Sequence, residues 1–129
     1  MQHEPRTAIV TGAGKRLGAE IARSLVADGW TVLAHVRREE DAVPEGAIRV
    51  AADLADAGTA DRIFASAVDQ PPVRLLINNA ARFAEDRFGA FSSEQFDAHM
   101  AVNVRAPALL IERFVAAQDG VGDPQIVNL

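Results

Sequence analysis

Thr7-Ala-Ile-Val-Thr-Gly-Ala-Gly-Lys-Arg-Leu-Gly-Ala-Glu-Ile-Ala22 is the stretch on which the fold of this chain turns. Residues 7–10 form a short apolar run, the pattern of a buried strand, and Thr11 to Gly14 end it. From Arg16 onward, Leu17, Ile21 and Leu25 recur at helical spacing, so a helix starts inside the glycine-rich turn. Strand, glycine turn and helix in this order aim free backbone N–H groups and a positive helix end at one point, which suits a phosphate. Gly12, Gly14 and Gly18 admit positive φ or let a second backbone approach closely.

The rest of the chain repeats the alternation. The first helix spans 16–28 and closes at Gly29, a good C-terminal stop. A second buried strand covers 30–36 and is followed by a charged loop, Arg37-Arg-Glu-Glu-Asp41. Pro44 and Gly46 mark a turn before a third strand over 47–52. A helix is expected over 56–69, stopped by Pro71-Pro72, and a fourth strand over 73–77 ends in Asn78-Asn-Ala-Ala81. Residues 84–91 read as a loop or short helix, with Phe83, Phe88 and Phe91 expected mainly to pack on the body. Ser92 and Gln95 predict a capping box at the head of a long helix, with Phe96, Met100, Val104, Leu110 and Phe114 along one face. Pro107 is expected to interrupt that helix, and residues 125–129 form a fifth strand. This pattern predicts an α/β Rossmann-type three-layer fold with a parallel sheet in the order 3-2-1-4-5. A ligand belongs at the strands' carboxyl ends, between strands 1 and 4.

Composition narrows the function. With 129 residues, 49% hydrophobic and 24% charged, the chain reads as one globular domain. A net charge of −5 argues against an extended nucleic-acid surface. No apolar run approaches the roughly 18 residues of a membrane span. There is no cysteine, and His3, His35 and His99 lack metal-ligand spacing. A cytoplasmic protein acting on a small molecule is the expectation.

Thr11-Gly-Ala-Gly-Lys-Arg-Leu-Gly18, Asp53-Leu54, Asn78-Asn-Ala-Ala81 and Asn103, in this order, resemble the short-chain dehydrogenase/reductase family along the whole chain. Lys15-Arg16 and Asn103-Val-Arg-Ala-Pro107 look most like its pteridine-reductase-type members. The resemblance implies that Gly12, Gly14, Lys15, Arg16, Leu17 and Gly18 surround the cofactor's pyrophosphate, with Arg16 where a middle glycine is usual. It implies that Asp53 and Leu54 flank the adenine, that Asn78 and Ala80 line the cofactor's path, and that Asn79 fixes the strand ends. Ala81 stands where a glycine is usual.

An NAD enzyme of this fold places a carboxylate at the end of strand 2. Here that end reads His35-Val36-Arg37-Arg38, and Arg37 together with Arg16 favours a 2′-phosphate, hence NADP(H) over NAD. Pro107 has no N–H to offer the carbonyl of Asn103, which must find another partner. In the family the matching asparagine holds a water in a proton relay, which makes Asn103 the catalytic candidate. The family's reaction also needs a serine, a tyrosine and a lysine four residues after it. This chain has no tyrosine, Lys15 is its one lysine, and Ser92–Ser93 is a helix cap. The chain therefore reads as the amino-terminal, cofactor-binding half of a longer domain, truncated before the last strands. It would bind NADP(H) for the reduction of a carbonyl or pterin-like C=N bond, as a homo-oligomer, without turnover by itself. Rival readings are a non-catalytic nucleotide sensor and an interaction subunit that uses the exposed sheet edge.

Overall fold

A computed structural model describes residues 4–83 and 89–129. In chain order the elements are β1 (Thr7–Val10), α1 (Arg16–Ala27), β2 (Thr31–Val36), β3 (Ile48–Ala51), α2 (Thr59–Ala65), β4 (Val73–Asn78), α3 (Ser93–Met100), α4 (Ala106–Ala116) and β5 (Gln125–Asn128). A π-helical segment, Ala101–Arg105, joins α3 to α4. The strands form one parallel sheet ordered β3-β2-β1-β4-β5, as the alternation of strands and helices predicts. β1 lies at its centre, so the turn that follows β1 opens at the switch point.

Side chains of the central strands alternate between two apolar layers. On one face Ile9, Leu33 and Leu76 meet Ile63 and Phe64 of α2 and Leu110 and Phe114 of α4. On the other, Ala8, Val10, Val32 and Ala34 meet Ala22 of α1 and Ala13 of the turn. β1 and β2 present only alanine and valine to this second cluster. Burying a residue such as Leu33 or Leu76 stabilises the fold by about 1.5–3 kcal/mol. Arg74 is an extra residue in β4: Thr7 pairs with Val73 and Ala8 with Leu75. That bulge puts Val73 and Leu75 on opposite faces although they are two apart.

Several expectations need correction. The helix expected over 56–69 contracts to Thr59–Ala65. Asp53 and Asp56 each accept the N–H two residues on, at 2.9 Å, which holds the approach in turns. Beyond Ala65, bonds from Ala67 to Phe64 and from Gln70 to Ala67 tighten the chain before Pro71.

The long helix is interrupted, as expected, but in the turn ahead of Pro107, which itself sits at the second position of α4. Ahead of it the hydrogen bonding widens, with the Ala106 N–H donating to the Ala101 carbonyl five residues back. One inserted residue rotates the following face by about 100°. The predicted single stripe therefore splits: Leu110 and Phe114 are buried, while Phe96, Met100 and Val104 are exposed.

Phe83 and Phe91 are exposed rather than packed on the body, Phe91 lying 6.1 Å from Phe96 between ring centroids. Phe88 and most of the segment expected as loop or short helix over 84–91 lie outside the described residues. Half of the capping box forms. Ser92 Oγ accepts from the Gln95 N–H at 3.1 Å, but Gln95 Oε1 has no partner among the described residues.

Candidate functional site

The turn after β1 is held from three sides. The Thr11 N–H donates to the Ile77 carbonyl at 3.0 Å and the Ala13 N–H to the His35 carbonyl at 2.8 Å. Between them, the Gly12 N–H donates to His35 Nδ1 at 3.1 Å. These three amides are engaged inside the protein. Donors for an anion therefore come from the first turn of α1, where Leu17 and Gly18 have no helical carbonyl one turn back.

Gly12 has φ 63 and Arg16 has φ 50, Arg16 being the one non-glycine residue at positive φ among those described. The left-handed region disfavours a side chain by about 1–2 kcal/mol. Gly18 has a different constraint. A Cβ built there would stand 2.0 Å from the Gly12 carbonyl oxygen and 2.5 Å from Asn79 Nδ2, so only glycine lets α1 start this close to the turn.

The far side of the turn is tied to the end of β4. Thr11 Oγ1 accepts the N–H groups of Asn79 at 3.0 Å and Ala80 at 2.9 Å. Asn79 Nδ2 lies 3.2 Å from both the Thr11 and Gly12 carbonyls. On the other flank His35 is buried, with Nε2 2.8 Å from the Ala52 carbonyl. Burial holds its pKa below the ordinary imidazole value, against the opposing pull of the Ala52 carbonyl and the Asp53 charge.

These pieces enclose an open cavity of about 710 Å³ at the carboxyl ends of the strands. Gly12, Lys15, Arg16, Leu17, Gly18, Arg37, Asp53, Leu54, Asn79 and Ala80, all expected from the sequence, line it together. Asp53 is exposed, and one of its carboxylate oxygens accepts the Ala55 N–H. Leu54 is buried and reaches the core as well as the cavity.

Three candidates lie off the wall. Gly14 backs onto the loop after β2, its absent Cβ 3.1 Å from the Ala42 carbonyl and from Val36. Asn78 is buried within the sheet, donating to Asn128 Oδ1 at 2.9 Å. Asn103 is exposed and clamps the main chain of Arg82, accepting its N–H at 2.8 Å and donating to its carbonyl at 2.9 Å. Arg82 itself lines the cavity, so Asn103 shapes the rim from outside.

Sequence reasoning assigned no role to Thr11 or His35. A hydroxyl at the end of a buried strand is a readable signal. The histidine becomes legible only once β2 is known to pass beside the turn.

The family profile described as short chain dehydrogenase matches residues 6–129. The chain belongs to the short-chain dehydrogenase family. It is 29% identical over 109 residues to the 3-oxoacyl-[acyl-carrier-protein] reductase MabA of Mycobacterium tuberculosis, covering 84% of this chain and 43% of that one. It is 38% identical over 106 residues to L-xylulose reductase of Bos taurus, covering 78% of this chain and 42% of the relative. Among solved structures, FolM alternative dihydrofolate reductase 1 from Brucella canis, complexed with NADP, superposes with a TM-score of 0.82 at 31% identity. That match covers 95% of this chain and 52% of the other. The chain thus spans less than half the length of the curated relatives it matches.

Among the described residues, no helix is long and apolar enough to cross a membrane. Among the same residues, no group of three or more His, Asp or Glu stands where it could hold a metal ion.

Proposed function

We propose that this chain is the NADP(H)-binding portion of a short-chain oxidoreductase that reduces a carbonyl or a pterin-like C=N bond. The observation that carries the reading is the charge of the cavity wall: Arg16 and Arg37 line it together, and its one carboxylate among the described residues is Asp53, beyond β3 rather than at the end of β2. A guanidinium pair suits a 2′-phosphate, where a carboxylate would suit a free ribose hydroxyl. In this reading Arg16 and Arg37 hold that phosphate, and the first turn of α1, with Lys15, holds the diphosphate. Asp53 accepts from the adenine amino group beside Leu54, while Asn79 and Ala80 line the path toward the nicotinamide. The donor set fits the dinucleotide, which when bound supplies the hydride.

The NADP complex of the FolM structure supports the cofactor choice. The reductase names of the relatives support the substrate classes: FolM a pterin-like one, MabA and L-xylulose reductase a carbonyl. The proposed unit is one dinucleotide-binding domain, the amino-terminal half of a longer one, working in the cytoplasm as a homo-oligomer on a small molecule. These residues include no tyrosine, so the Tyr–Lys proton-transfer pair is not theirs to supply. Binding without turnover is the expectation for them alone.

Fluorescence titration with NADPH and NADH tests the reading. NADPH should bind more tightly than NADH, and Arg37→Asp should weaken NADPH by roughly 1.5–3 kcal/mol, the scale of a charge-assisted hydrogen bond. A dissociation constant unchanged by the substitution removes Arg37 from the site.

A further inference from the structure

We infer that His35 is a positioning residue for the nucleotide cavity, its neutral imidazole clamping the glycine turn to the end of β3 and releasing the turn when the ring is protonated. The geometry of the clamp stands on its own. Only its effect on a ligand rests on the nucleotide reading above.

Two contacts determine the state of the ring. A backbone amide can only donate, so Nδ1, 3.1 Å from the Gly12 nitrogen, must present its lone pair. A carbonyl oxygen can only accept, so Nε2, 2.8 Å from the Ala52 oxygen, must carry the hydrogen. One tautomer, neutral with Nε2–H, meets both demands.

A proton added at Nδ1 sets two donors against each other across the Gly12 contact, and one side has to move. Gly12 cannot shift alone. Its carbonyl packs against Gly18 at the head of α1, and Asn79 grips the same oxygen at 3.2 Å. A displacement at Gly12 therefore reaches the amides of the first helical turn, where an anion would sit.

The charged groups that line the same cavity as the ring are Lys15 and Arg16 from the turn and the start of α1, Arg37 from β2's own end, and Asp53 from beyond β3, of which Asp53 acts on the ring. Asp53 favours the cation, but burial outweighs it, so the folded chain keeps the ring neutral further into acid than an exposed histidine. The stability this contributes is present above the ordinary imidazole value of about 6.5 and is lost as pH falls through the lowered folded value.

Two measurements on the 129-residue chain decide the matter. Nitrogen-15 NMR of the imidazole should show the Nε2–H tautomer, and the Gly12 amide shift should titrate with the same midpoint as the ring. NADPH titrations well above the ring's NMR midpoint and about one pH unit below it should show wild type losing about tenfold more affinity than His35→Gln, whose amide does not titrate in this range. Protonation of the ligand's own phosphate is common to both proteins and drops out of the difference. His35→Ala should be weaker at both pH values.

An Nδ1–H tautomer, or equal pH slopes in wild type and His35→Gln, overturns the clamp. Absence of NADPH binding at every pH instead overturns the nucleotide reading and leaves the NMR midpoints to decide the clamp.

Discussion

At the glycine turn, the amides of Thr11, Gly12 and Ala13 and the side chain of Asn79 all have partners within the fold. The path from α3 through α4 is anchored along one half only: Leu110 and Phe114 are buried, and Phe96 and Met100 stand in the open. The first region is held by short-range polar geometry, in which one misplaced atom disturbs several bonds. The second is held by apolar area, and its free half has little to lose. The comparison separates two kinds of constraint within one sheet-and-helix body, and single substitutions should tell them apart.

The largest effect is expected at Gly18. A methyl group there meets backbone rather than a movable side chain, so Gly18→Ala should destabilise the chain by about 3 kcal/mol in urea unfolding. It should also disturb the Gly12 and Asn79 amide signals. Next comes Leu110→Ala, with a loss of about 2–3 kcal/mol, beside less than about 1 kcal/mol for Met100→Ala. Equal losses at the two positions would mean that the π segment does not rephase the helix in solution.

Asn103→Ala should lose about 1–2 kcal/mol, the weight of two exposed hydrogen bonds, with hydrogen exchange quickening at the Arg82 amide. The smallest effect carries an inverted sign. In an ordinary helix alanine outranks glycine by about 1 kcal/mol, but at the positive φ of Arg16 the Gly variant should be the more stable of the two by about that amount. Alanine ahead of glycine at position 16 would place that residue in right-handed space.

Much of the fold was legible because its signals are local. Residues 7–10, the stop at Gly29 and the breaks at Pro44 and Pro71-Pro72 each act within a few positions of themselves. Strand order followed from handedness once the alternation of strands and helices was seen. The cavity residues were legible for a related reason: the ends of parallel strands converge, so Gly12, Lys15–Gly18, Arg37, Asp53–Leu54 and Asn79–Ala80 had to gather at one place. What escaped reading depended on contacts between distant segments. Asn78 follows the same strand as Asn79, but the pleat directs it into the sheet toward Asn128. The clamp of His35 on Gly12 joins residues far apart in sequence. The shortening of α2 came from aspartates that satisfy turn amides, a competition that an apolar stripe does not reveal. The π segment left no mark in the periodicity, because Phe96, Met100, Leu110 and Phe114 suit an unbroken helix equally well.

That widened turn has a consequence for how the protein tolerates length changes. Deleting one residue from 101–105 would give the rod a uniform repeat while leaving Phe96 and Met100 in their present phase to α4, because the residue removed is the one the wide turn absorbs. Deleting Asn103 itself would also remove the clamp on the Arg82 main chain, loosening the cavity's rim although no residue on the wall had been altered. A deletion scan through this stretch should therefore show bulk unfolding little affected, while removal of Asn103 costs the Arg82 side of the crevice its shape.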